Sequence, residues 1–133
     1  MARARANVIV ALDQYASKHP NTNLDDIMDS DMVVDIGCTQ QFLTYRAGLF
    51  PTITAKRAAS CDFWLVSQAR RVTLDDLCLL QGFEKGAFDI AGARVSEQRF
   101  GHMLGNAMCL TIVEEVARSL LNYIGIHPSN KPH

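Results

Sequence analysis

Arg70-Arg71-Val72-Thr73-Leu74-Asp75-Asp76-Leu77-Cys78-Leu79-Leu80-Gln81-Gly82-Phe83 holds the most legible local structure in the chain. Thr73 opens a helix: Thr73-Leu74-Asp75-Asp76 is a capping box with Asp where Glu is usual. Leu77, Leu79 and Leu80 supply its apolar side, and Gly82 stands where a helix commonly ends. A short helix is expected next at 84–91, and another from Ser96 to about Leu104. The strongest element is 107–124. Leu110, Val113, Val116, Ala117, Leu120, Leu121 and Ile124 form one stripe at helical spacing. Asn106 is expected to cap it and Gly125 to stop it. The tail, 126–133, holds two prolines and is expected to fray.

Upstream, the pattern changes from helix to strand. Residues 33–35, 52–54 and 63–66 are short β-branched or aromatic runs, bounded by Gly37, Gly48, Pro51 and Ser60, and read as strands. Before them, Val8, Leu12, Tyr15 and Ala16 share one face of a helix that His19-Pro20-Asn21 stops. Asp25, Asp26, Asp29, Asp31 and Asp35 fall in a run without a basic residue. A calcium loop needs alternating acids, a central Gly and a late Glu, and this run lacks that pattern, so it reads as a solvated helix plus loop. The fold expected is α+β: a β-rich middle flanked by helices, in one unit over 1–133. No repeat, low-complexity stretch or linker divides it.

Composition narrows the function classes. The chain has 133 residues, 48% hydrophobic and 20% charged, with net charge −1. That is one folded domain, and wholesale disorder and a generic polybasic nucleic-acid binder are both excluded. No apolar stretch approaches membrane-spanning length and the amino end lacks a signal-peptide pattern, so an intracellular location is expected, nuclear if the source is eukaryotic. Four cysteines, Cys38, Cys61, Cys78 and Cys109, form no CxxC pair and read as small, buried, reduced thiols. No metal site is expected. The total charge hides a pattern: Arg46, Lys56, Arg57, Arg70 and Arg71 stand against Asp62 alone between 46 and 71. A basic, loop-rich middle of this kind suits phosphates, although a solvated surface is the simpler reading.

Two segments, 70–83 and Phe100-Gly101-His102-Met103-Leu104-Gly105-Asn106-Ala107-Met108, resemble in order and spacing the last two motifs of the cytosine-5 DNA methyltransferases. That family runs from an Arg-x-hydrophobic-Thr-x-x-Glu helix into Leu-Gln-Gly-Phe, then to Leu-Gly-Asn-Ala and a terminal helix. Pro51-Thr52-Ile53-Thr54-Ala55 with Arg57, then Trp64 and Arg70, is similar to the end of the family's target-recognition region. The resemblance covers about 33–69 as recognition-region-like and 70–125 as final motifs and terminal helix. Asp75, Asp76, Glu84 and Cys109-Leu110 depart from the usual residues.

The resemblance implies covalent catalysis. A cysteine thiolate adds to cytosine C6, a carboxylic acid holds N3, and C5 takes the methyl group of S-adenosylmethionine from a flipped-out base. The family keeps its nucleophile in a Pro-Cys pair, its acid in Glu-Asn-Val and its cofactor on a glycine-rich loop. None of these occurs here: the cysteines follow Gly37, Ser60, Leu77 and Met108, and no Glu precedes Asn. No catalytic residue is therefore assigned, and the chain is expected to be a carboxyl-terminal fragment or subunit whose terminal helix packs on a missing α/β catalytic sheet. Carried over by the resemblance, Gly105, Asn106, Ala107 and Met108 would wall the S-adenosylmethionine pocket, and Lys56, Arg57 and Arg70 would face duplex DNA. Arg70 and Thr73 also match residues that hold the recognition region in place, and Trp64 is expected to fill core. The partners implied are duplex DNA and an amino-terminal catalytic region, with no membrane. Other readings are a non-catalytic DNA-binding or regulatory module and a small helical interaction domain.

Overall fold

A computed structural model describes residues 2–126, so the expectation for the tail beyond Ile126 lies outside the described residues. Helix α1 (Ala2–Lys18) is followed by α2 (Leu24–Met28), β1 (Met32–Asp35), a single 3-10 turn at Gln40–Phe42, β2 (Tyr45–Ala47) and α3 (Ala55–Ser60). Then come β3 (Phe63–Leu65), β4 (Arg70–Arg71), α4 (Leu74–Leu80), α5 (Glu97–Asn106) and α6 (Leu110–Tyr123). The strands form one antiparallel sheet in the order β2-β1-β3-β4. The fold is α+β, as its sequence pattern requires.

The sheet is covered on both faces, which explains why all four residues of β1 are buried. Successive strand side chains point to opposite faces. Met32 and Val34 pack with Ala11 of α1, Ile36 and Val66, while Val33 packs with Phe63, Ala58, Val72, Leu77, Phe100 and Leu104 on the other side. Asn7 fixes α1 to the sheet. It is fully buried, and its Nδ2 donates to the carbonyls of Ile36 (3.3 Å) and Cys38 (2.9 Å) just past β1.

Residues 52–54 form no strand; they lead into α3, with Thr54 (φ −98°, ψ 155°) at its amino-terminal cap. The strand beside β1 is Tyr45–Ala47 instead, fixed by Val33 opposite Arg46 and Val34 opposite Tyr45. Residues 84–91 are turns and irregular chain, not helix. Gly86 takes φ +77°, and the Asp89 carboxylate accepts the Gly92 N–H (2.8 Å), local bonds that compete with a helical ladder. Asn106 does not cap the terminal helix. It is the last residue of α5; Ala107 turns extended (φ −74°, ψ 149°), and Cys109 occupies the cap of α6. The acidic run also divides. Asp26 completes a capping box with Asn23 on α2, as expected of a solvated helix, but Asp35 is buried in β1.

The capping box at Thr73 forms as its sequence predicts: the Asp76 N–H donates to the Thr73 hydroxyl (3.2 Å) and the Thr73 N–H to the Asp76 carboxylate (2.8 Å). Gly82 closes α4 at φ +84°, where a side chain would be strained. Ser96 caps α5 by accepting the Arg99 N–H.

Candidate functional site

Charge and shape coincide at a cleft of about 670 Å³ between the β1–β2 end of the sheet and α3. Its polar rim is Arg46, Lys56, Arg57, Thr44, Thr52 and Thr54, and Phe50 and Phe63 line its apolar part with ring centroids 5.0 Å apart. The chain brings Lys56 and Arg57 there because Pro51 to Thr54 joins the edge strand β2 to α3, which begins at Ala55. Arg46 arrives from β2, opposite Val33.

The cations are not equivalent. The Arg57 Nε lies 3.0 Å from the Asp35 carboxylate, whose other oxygen accepts the Gly37 N–H at 3.0 Å. Gly37 is glycine because a Cβ there would collide with the Arg57 guanidinium and lie 2.5 Å from the Asp62 carboxylate. Arg57 is thus held by an acid and is half-buried, while Arg46 and Lys56 are exposed with no ion-pair partner among the described residues. A diffusing anion meets Arg46 and Lys56 first.

Arg70 does not line this cleft. It sits on β4, at the opposite edge of the sheet, and grips Asp76 through two nitrogens (2.6 and 3.1 Å). The Asp76 carboxylate also accepts the Thr73 N–H and hydroxyl, each at 2.8 Å. Arg70 first, then the Thr73 donors, holds the Asp76 carboxyl well below the usual carboxylate range. This geometry ties β4 to α4.

Residues 105–108 span the junction of α5 and α6, and their surroundings differ. Gly105 faces α3: a Cβ there would collide with the Ala55 backbone. Gly101, one turn earlier, meets the Ala58 carbonyl in the same way, at 2.5 Å. These two glycines let α5 lie directly on α3. Asn106 is exposed, and its Nδ2 lies 3.3 Å from the His102 ring one turn back. Met108 is 75% exposed and begins an apolar groove that continues along α6.

Gln81 is the residue that organises this junction, and no role for it was evident in sequence. Its buried Nε2 donates to the carbonyls of Leu104 (2.9 Å) and Ala107 (3.3 Å), and its own carbonyl accepts the Leu110 N–H (2.8 Å). One side chain thereby serves the carboxyl end of α5 while its backbone receives the first turn of α6. Gly82 leaves room for this: a Cβ would stand 3.3 Å from both Leu110 and Thr111. Phe83 meets Phe88 edge-on and Phe88 meets Phe100 at a tilt (5.0 and 5.2 Å between centroids), which pins the 83–95 connection to α5. The signal in sequence was the Gln-Gly-Phe triplet; the partners, more than twenty residues away, were not readable.

Beyond this junction α6 stands largely uncovered. None of its residues is buried, and Ile112, Val116, Leu120 and Ile124 are each more than half exposed. Trp64 is half-buried on the α1 face of the sheet. The cysteines divide as well. Cys38 and Cys78 are buried, and burial raises their thiols' pKa, as it does that of half-buried Cys61. Cys109 departs from the expected buried apolar thiol: it is partly exposed at the α6 cap, and the Thr111 hydroxyl, 3.0 Å away, lowers its pKa.

No helix among the described residues is long and apolar enough to cross a membrane. No family model, no curated protein and no solved structure matches the chain.

Proposed function

We propose that this chain is the carboxyl-terminal part of a cytosine-5 DNA methyltransferase, supplying one wall of the cofactor pocket and part of the DNA-recognition scaffold. The observation that carries the reading is the apolar face of α6, held at its first turn by Gln81 and otherwise largely uncovered among the described residues. A terminal helix with this stripe fits a sheet supplied by a catalytic amino-terminal region. The order of Arg70, Thr73, Gln81-Gly82-Phe83 and Gly105-Asn106-Ala107 supports it.

On this reading S-adenosylmethionine, when bound, supplies the methyl group. Asn106 and Met108, both exposed, are the side chains of this chain free to meet it; Gly105, packed on α3, and Ala107, bonded to Gln81 and Leu104, hold those two in place. Those four residues form no enclosed pocket by themselves, so the remaining walls, the thiol nucleophile and the N3 acid belong to the partner region. Arg46 and Lys56 hold phosphates at the cleft mouth, and Asp35 orients Arg57 beside them.

The test is co-expression with a catalytic region from the same genome that carries a Pro-Cys pair and a glycine-rich loop. Methyl transfer to duplex DNA only in the mixture is expected, reduced by Asn106→Ala. Absence of both methyl transfer and a complex on size exclusion overturns the proposal.

The unpaired Arg46 and Lys56 favour one other reading, a DNA-binding module without catalysis. It predicts salt-sensitive binding of duplex DNA by this chain alone, weakened by Arg46→Gln with Lys56→Gln. No binding at low salt removes it.

A further inference from the structure

On the opposite face of the sheet from α3 lies a second groove, of about 500 Å³, between the first turns of α1 and the β3–β4 end of the sheet. Its walls are Ala4, Val8 and Ile9 of α1 and the indole of Trp64. Trp64 and Arg71 are direct cross-strand partners, so their side chains stand side by side on one face. Arg5 enters from α1 across the groove. No carboxylate lines it, and neither guanidinium has an ion-pair partner among the described residues. Arg70, next in sequence, is consumed by Asp76, which leaves Arg71 as the available cation of β4.

We propose that this groove binds a small amphipathic anion, an aliphatic chain ending in a carboxylate or phosphate head. The chain lies along Val8, Ile9 and Trp64, and the head is shared by Arg5 and Arg71. The size falls in the range of about 300–1,000 Å³ typical of small-molecule sites. A nucleotide fits less well. Apart from the two arginines, the lining side chains are alanine, valine, isoleucine and one indole, which offer almost nothing to read a base edge. Two guanidinium groups lining an apolar trough instead match one head group with a long apolar body. This inference is independent of the methyltransferase reading, because the cleft and the α5–α6 junction share no lining residue with the groove.

Trp64 is the single tryptophan of the chain, so its fluorescence reports on the groove directly. The full chain is titrated with monomeric decanoate, with decanol, with AMP, and with vesicles containing phosphatidylglycerol. A saturable shift of Trp64 emission with decanoate or with the anionic vesicles, and not with decanol, is expected; which of the two acts identifies a free acid or a lipid surface as the source. Arg5→Gln with Arg71→Gln weakens binding about tenfold, with circular dichroism unchanged because both residues are exposed. No shift with either anion, an equal shift with decanol, a shift with AMP alone, or unchanged affinity in the folded double variant overturns the proposal.

Discussion

Gly105 of α5 lies against the backbone of Ala55 in α3 so closely that a methyl group on Gly105 would collide with it. Both helices therefore depend on the absence of one side chain. Gly105→Ala is expected to cost about 1–3 kcal/mol by overpacking, read as a lowered midpoint in urea unfolding. Gly101→Ala, against the Ala58 carbonyl, acts alike. A neutral result at both positions would mean that α5 and α3 are not in contact. Loss of activity in Gly105→Ala reports helix packing first, so Asn106 is the cleaner probe of a cofactor.

Gln81→Leu leaves the carbonyls of Leu104 and Ala107 without their side-chain donor. The expected cost is about 1–3 kcal/mol. Amide exchange should rise in α6 more than in α1, which Gln81 does not touch. Uniform change across both helices would contradict the local role.

The Arg70–Asp76 pair predicts a pH dependence. The Asp76 pKa is depressed in the fold below its ordinary value of 3.8. Its stabilising contribution is therefore complete above that value and is lost as pH falls through the lower folded value. Asp76→Asn should be less stable than wild type at pH 7, and the gap should narrow as pH drops below about 4. A constant gap from pH 7 to pH 2 would exclude the ion pair as its source. Thr73→Ala, which removes the cap acceptor, should cost about 1 kcal/mol.

Cys109 should react first. The Thr111 hydroxyl favours its thiolate, whereas burial disfavours those of Cys38, Cys61 and Cys78. Brief iodoacetamide treatment followed by peptide mass mapping should find Cys109 labelled ahead of the other three, and Thr111→Val should slow it. Faster labelling of Cys38 or Cys78 would reverse that order.

Charge placed on α6 separates folding from association. Val116→Glu and Leu120→Glu lie on exposed positions and should shift unfolding by no more than about 0.5 kcal/mol. On the proposed reading, the same changes should abolish assembly with the catalytic region through this face, measured by sedimentation-equilibrium mass. A large loss of stability would show that the face is already covered within the chain.

Local signals carried most of what was legible in the sequence. Thr73 and Asp76, Ser96, Gly82 and Gly125 mark helix ends because their partners lie within four residues. β1 and β3 were visible as apolar runs. β2 and β4 were not, since Tyr45–Ala47 and Arg70–Arg71 are short edge strands defined only by their neighbours. α3 carries no such signal because Ala55–Ser60 holds no apolar stripe; small residues let α5 approach instead. The Asn106 cap failed for a related reason: α5 continues through Gly105, stabilised by packing that propensity does not record. In the cleft, Lys56 and Arg57 were readable as basic residues, but only the fold divides them into one free cation and one held by Asp35.

The attachment of α6 at Gln81 has a mechanical consequence. Fourteen residues make a rod of about 21 Å, fastened at one end. A swing of about ten degrees at that pivot would carry the far tip roughly 4 Å, while Gln81 itself scarcely moves. Small adjustments near Gly82 and Leu110 are thus geared up along the rod, and whatever seats on its outer half sets the angle of the lever.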